Sequence, residues 1–561
     1  MNVLVAALSL MFAANAKGTV FYVDMVTGAD VNFGTTTVLA WKTVAKVNGR
    51  NFSPGDQILF RRGRTWNESL VPHNSGTASA PITFGNFGAG ALPIFDAQNV
   101  RHPIFTLTNV ANVVIDGLAA SNSPDVIIAV SQSTDVSILN CTLRNSFLSA
   151  IMISGVNAGL TVRGNSYTTD AGFVMANNFL ENAAPLDSLT VADNVVDLTQ
   201  ASRANNMAGI YLSDVRNAQV SGNIIRGGTQ GIGIKANARD VTGIAIFDNQ
   251  VYDVEPLNGG DAESIELTGT NGFFVTAIVY RNFVKGNGIT QGGIDGFGAK
   301  NCVFYQNIVF GPMDAAVSAA AFFLSSDSTN NRYYNNVTYN TPYGFAAHSA
   351  SNGGIYINNI VESASIRGLY QSGATLAAED YNIFHNSGPN LGFTAGAHDL
   401  TSAPGFVNSA PAVPGDVRLQ AGSPAINSGA NLGAPYNLTL DPSGSAFPYA
   451  TLDQNQLGSA WERGAFGFGA AVAPPPGSAV VENENIRIYP NPMVRSQGGS
   501  RMTFANLPPF SSVKLFNLSS RLVSTLTADA SGVAQWDAAV ASGVYFVVVP
   551  GRQTLKAVVI N

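Results

Sequence analysis

Six short strands of similar pattern carry the residues best suited to chemistry. They are GIYLS (209–213), GIGIK (231–235), SIELT (264–268), GIDGF (293–297), AFFLS (321–325) and GFAAH (344–348). Period-two alternation turns their second and fourth residues inward and leaves the first, third and fifth facing water. Stacked in register, the third column reads Tyr211, Gly233, Glu266, Asp295, Phe323, Ala346, and the fifth reads Ser213, Lys235, Thr268, Phe297, Ser325, His348. Glu266 and Asp295 then stand one strand spacing apart, about 5 Å, with Lys235 on the diagonal at roughly 7 Å. Two carboxylates so close can serve as acid and as base or nucleophile. Several carboxylates suit a hard cation such as Ca²⁺, and a lysine amine can remove a proton. The long connection VYDVEPLNGGDAE (251–263) walls this groove and adds Asp261 and Glu263 to Glu266 and Asp295 as cation ligands. Tyr211, Phe297, Phe323 and His348 offer flat faces to a bound molecule. Like charges one strand apart are costly, which favours function or a cation here; exposed Glu, Asp and Lys are also ordinary furniture of a water-facing strand.

Other constellations are weaker. Arg61, Arg62 and Arg64 cluster beside Trp66 and fit a solvated loop better than an anion site. Lys300, one turn beyond Asp295, is an alternative base. The five histidines show no H-x-H or H-E-x-x-H spacing, which argues against zinc. No G-x-G-x-x-G or G-x-x-x-x-G-K-[ST] follows a strand and opens a helix, so no nucleotide or organic cofactor is expected. The formal net charge of -7 disfavours nucleic acid as a partner. No stretch approaches the roughly 18 apolar residues of a transmembrane span. Cys141 and Cys302 lie many repeats apart, beyond disulfide reach.

What positions the six strands is a degenerate repeat: an apolar residue, one or two variable positions, Asn, then an apolar pair. Its asparagines are Asn140, Asn165, Asn194, Asn223, Asn249, Asn282, Asn307, Asn336, Asn359 and Asn382, spaced 23 to 33 residues apart. Asp116-Gly117 takes the same place one unit earlier. Each unit holds two or three strands and no helix-length segment, so it cannot bury its apolar side alone; stacked units share one core. Asn tolerates left-handed turns, and asparagines repeated at a corner can stack and satisfy backbone groups. The chain is thus expected to be all-β: a single-stranded right-handed parallel β-helix over 111–469, preceded by a cap and first coils over 17–110.

This organisation resembles the right-handed parallel β-helix proteins, a fold shared by pectate, alginate and chondroitin lyases and polygalacturonases. The opening FYVDMVTGAD, AWKTVAKV and SPGDQILFRRGRTW is similar to the amino-terminal segment of exported members, with Trp41 and Lys42–Val47 capping the open end. VRLQAGSPAINSGA (417–430) and WERGAFGFG (461–469) resemble their last coils. Residues 1–16, an apolar run ending in Ala14-Asn15-Ala16, read as a signal peptide. A Pro-rich linker spans 470–481. Residues 482–561, with IRIYPNPMV, VKLFNLSSRLV and SGVYF, resemble the small β-sandwich sorting domain of the type IX secretion system. That resemblance implies secretion machinery as a partner and an extracellular or cell-surface location.

The resemblance implies a polysaccharide as the groove's partner, and three readings stay open. Ca²⁺ on the carboxylates could neutralise a substrate uronate while Lys235 removes the sugar C5 proton, a β-elimination. Glu266 and Asp295 could instead hydrolyse a glycosidic bond, although the Asp cluster and Gly-His signature of the polygalacturonases are missing. The face could also bind a glycan without turnover. The resemblance favours the lyase.

Overall fold

The computed structural model describes residues 18–168, 171–176, 186–199, 208–256, 262–317, 319–390 and 392–469, with short strands and a few flanking residues between 487 and 560. The signal-peptide and linker segments lie outside the described residues. Parallel strands stack into sheets of 14, 13 and 11 members, each successive coil adding one strand to each. A representative coil runs Gln219–Ser221 in the first sheet, Ile224–Gly227 in the second and Gln230–Ala236 in the third, before Val241–Phe247 re-enters the first. The inward residues form one continuous apolar core, from Phe21 to Leu369. Among the described residues no helix is long and apolar enough to cross a membrane.

The corner between the first and second sheets carries the asparagine stack, one place displaced from expectation at its start. In each coil the corner residue is left-handed, for example Asn140, Asp193, Asp248 and Asn335, at φ 51°, 57°, 57° and 54°. The ladder residue is the next one. Asn165, Asn194, Asn223, Asn249, Asn282, Asn307, Asn336, Asn359 and Asn382 are all within 1% of full burial. Asn194 shows the pattern: its Nδ2 donates to Asn223 Oδ1 (2.9 Å) and to Val162 O (3.1 Å), while its backbone N–H donates to Asn223 Oδ1 (3.1 Å). Asn140 is therefore not a rung. Cys141 holds that place, its N–H donating to Asn165 Oδ1, and Asn140 serves the left-handed corner, which a short polar side chain tolerates.

Both ends are closed. Near the amino terminus the short helix Val44–Asn48 is capped by Thr43, and Glu68 accepts from Val44 and Ala45 N–H. Trp41 stacks on Phe21 at 4.8 Å, sealing the first coil as the sequence implies. Arg61 and Arg64 pair with Asp24, and Arg62 donates to Asn86 and the Gly90 carbonyl, so this basic cluster is structural. After the last coil, Leu400 bridges to Ile383, and the segment expected to add coils runs back along the outside instead. Phe406, Leu419, Leu440 and Phe466 cover outward apolar residues of the second sheet, among them Phe283, Ile308, Val337 and Ile360. Gln306, Asn335 and Asn358 donate to carbonyls of this strap. The strands between 487 and 560 pair into sheets of three and five around Phe504, Leu515 and Trp536.

Two carboxyls toward the carboxy-terminal end are held above the usual range, Glu379 in the last strand of the first sheet and Glu462 in the strap. Glu379 continues the inward column of Tyr356; burial, then its contact with Asp399, holds its carboxyl well above the usual range. Glu462 is 0% exposed, and burial pushes it from 4.5 up to about 7.

Two predictions follow from these contacts. Asn223→Ala strands the amide and backbone N–H of Asn194 in the core and should cost about 3 kcal/mol, lowering the urea midpoint. Asn140→Gly should stay within about 0.5 kcal/mol; equal losses would sink the ladder assignment. Because folding raises both carboxyls, the native state keeps protons that the unfolded chain releases, and stability falls as pH rises through about 7. The melting temperature should drop between about pH 5 and about pH 9, less steeply in Glu462→Gln; an unchanged slope in that variant would remove Glu462 from the account.

Candidate active site

The outer face of the 11-stranded sheet carries the site, and its register matches the sequence columns. Glu266 pairs with Gly233 and Asp295, Asp295 with Phe323, and Phe323 with Ala346. In the fifth column Ser213, Lys235, Thr268, Phe297 and Ser325 follow one another. Glu266 and Asp295 are thus one strand spacing apart, about 4.8 Å between backbones.

The first column is corrected. Gly209, Gly231, Ser264, Gly293, Ala321 and Gly344 do not face water. A Cβ on Gly293 would lie 2.8 Å from Val309 Cγ1, and one on Gly344 would lie 2.7 Å from Val361 Cγ1, both core atoms. The chain swings in from the second sheet here, so two consecutive residues point into the core and the outward place passes to the residue before. Gln230, Glu263 and Gly292 fill it on adjacent coils. Gln230, which lines the cleft and donates to Glu266, is a residue the alternation rule does not find. The column of Gly, Ser and Ala, too small for a surface strand, was the available signal.

A cleft of about 250 Å³ opens on this face, lined by Tyr211, Gln230, Lys235, Glu263, Glu266 and Thr268 among others. Glu266 is half-buried at its mouth; Gln230 Nε2 donates to one carboxylate oxygen and the Thr268 hydroxyl to the other. Gln230 lies across Gly233, and the Asp295 carboxylate lies across Gly292; a Cβ at either glycine would collide with it. Asp295 is 4% and Glu263 8% exposed. Tyr211 is pushed up to about 12, first by burial and then by the Glu266 and Asp214 charges, so its hydroxyl keeps its proton and can donate it in a hydrogen bond.

Lys235 is half-buried beside these groups and makes no ion pair among the described residues. Lys300, the alternative base, has its Nζ 5.4 Å over the Phe274 ring and is not among the residues lining the cleft. Asp261 lies outside the described residues. Among the described residues no three His, Cys, Asp or Glu side chains form a metal-holding set, and both Glu266 oxygens already accept from protein donors. The side chains of the cleft offer acid–base and nucleophilic chemistry of their own.

The anticipated aromatics separate. Tyr211 stands on the amino-terminal side of the carboxylates. Phe297 and Phe323 meet at 5.6 Å, and Phe323 meets His348 at 5.3 Å, on the other side. Burial lowers the His348 imidazole below its ordinary value, which favours the neutral ring.

No protein-family model matches the chain. A lacto-N-biosidase from Bifidobacterium longum subsp. longum is 35% identical over 92 residues, 15% of this chain and 6% of that protein. The chain thus spans a small fraction of that relative's length. The structure of a GH136 lacto-N-biosidase from Eubacterium ramulus is 13% identical, over 66% of this chain and 68% of that one, with a TM-score of 0.41. A pectate lyase structure is 17% identical, over 81% and 97%, with a TM-score of 0.42. At these values neither structure assigns a residue or a reaction.

Proposed function

We propose that this chain is an exported glycoside hydrolase acting on a neutral glycan, with Glu266 and Asp295 as its reacting carboxyls. The observation that carries this is their pairing on adjacent coils, with Glu266 fixed at the cleft mouth by Gln230 and Thr268. Backbones one strand spacing apart, about 4.8 Å, let the two carboxyls approach as in the double displacement of retaining enzymes, where they stand about 5 Å apart. Glu266 attacks the anomeric carbon as the glycosidic C–O bond breaks, and the departing oxygen takes a proton from Asp295. Water then attacks the same carbon, gives its proton to Asp295 and releases Glu266. The carboxy-terminal resemblance supports export.

Elimination is the second reading. It rests on Lys235, an amine in the same cleft that makes no ion pair among the described residues. The carboxyls of Glu263, Glu266 and Asp295 outnumber that amine, and a substrate uronate would meet net repulsion. This moves the preference from lyase to hydrolase.

The full-length chain should release reducing ends from neutral oligosaccharides with retained anomeric configuration, read by proton NMR. Glu266→Gln and Asp295→Asn should each lower turnover by about 10²–10⁴-fold with unchanged melting. Lys235→Ala should leave hydrolysis nearly intact. Products with the ultraviolet absorbance of unsaturated uronates, abolished by Lys235→Ala, would replace this assignment with the lyase.

A further inference from the structure

The outward face does not end its ring contacts at His348. The next strand of the sheet, Arg367–Ser372, places Tyr370 beside Ala346 and Ser372 beside His348. The His348 and Tyr370 rings meet at 4.9 Å, and Tyr370 meets Tyr343 at 5.6 Å. Phe297, Phe323, His348 and Tyr370 thus form an unbroken run over four coils, each ring half-buried, starting in the strand that carries Asp295. Small residues flank it: Ala320, Ser325 and Ala346. Beyond the terminal ring stands Arg367, its guanidinium 5.7 Å over Tyr370.

Half-buried rings in contact along one surface are not needed for the core, which lies on the other side of the same strands. They present apolar faces and edges to water at a repeat of about 4.8 Å per coil, close to the advance of one sugar in an extended chain. The faces of β-linked hexoses that carry only C–H groups are the complementary chemistry. Apart from His348 and Arg367 this run carries no charge, which suits a neutral chain.

We infer that this run is a sugar-stacking platform for a neutral β-linked hexose chain, holding the substrate on the carboxy-terminal side of the cleavage point. The inference rests on the reading of the acidic cleft as the place of cleavage. It makes binding asymmetric: the chain extends over the four coils from Asp295 to Tyr370, whereas on the opposite side the same column, among the described residues, offers Tyr211 and then Met175.

The test is titration calorimetry of the full-length chain carrying Glu266→Gln, with neutral β-linked glucose and galactose oligomers from dimer to hexamer. Affinity should rise with length. Adding Tyr370→Ala should weaken the hexamer roughly 3- to 10-fold and spare the dimer, with Tyr370→Phe unchanged. Adding Phe323→Ala should weaken every length. Equal weakening at all lengths by Tyr370→Ala, unchanged hexamer affinity, or no binding by the parent would overturn the platform. Turnover of the unsubstituted chain is read separately. Length-dependent binding without turnover upholds the platform and removes the hydrolase, whereas turnover with an unaltered hexamer in Tyr370→Ala removes the platform alone.

Discussion

Everything on the outer face depends on one buried interaction, the amide ladder from Asn165 to Asn382. From Asn194 to Asn359 each rung accepts two hydrogen bonds from the rung before it and gives its own amide hydrogens to the coils on either side. The groups are buried, so a slipped coil would leave unpaired donors in the core. Register at the corner is therefore held tightly, and the columns of the third sheet inherit it. Connections as different in length as those before Glu263 and Gly292 still deliver Glu266 opposite Asp295.

Much of this was legible in the sequence because a β-helix obeys two short-range rules. Alternation with period two sorts inside from outside, and a recurring corner residue marks the coil. Together they brought Glu266, Asp295, Lys235, Phe297 and Phe323 to one face in the register observed. The failures share a cause. Gln230 was missed because the strand turns in from a corner, where alternation breaks. Asn140 was placed on the ladder because the left-handed corner and the ladder are adjacent positions that both accept Asn. Tyr370 lies one coil past the six strands, in GLYQS (368–372), which repeats their pattern. In sequence the strap resembles further coils, since an apolar segment covering a sheet from outside reads like one closing it from the end.

The acidic face and the ring-lined face solve different problems with the same backbone. At the cleft, glycines at 233 and 292 let Gln230 and Asp295 fold down across the strands, so that polar groups converge on Glu266 instead of spreading outward. Farther along, Ala320 and Ala346 leave rings as the principal relief on the surface. Chemistry and binding are separated by coil number, with no separate domain for either.

The strap changes how such a rod comes apart. A stack of coils is a one-dimensional polymer in which each turn is secured by its neighbours, so it can peel from either tip one turn at a time. Residues 400–469 tie the turns from Tyr252 to Ile383 side by side, like the spine of a book. Pulled from the amino terminus, the rod can unzip page by page until it reaches the turn of Glu266, where Tyr252 first touches the strap. The hinge between loose and bound pages thus falls at the two carboxyls, and mechanical load would reach the cleft before it reached the ring-lined turns behind it.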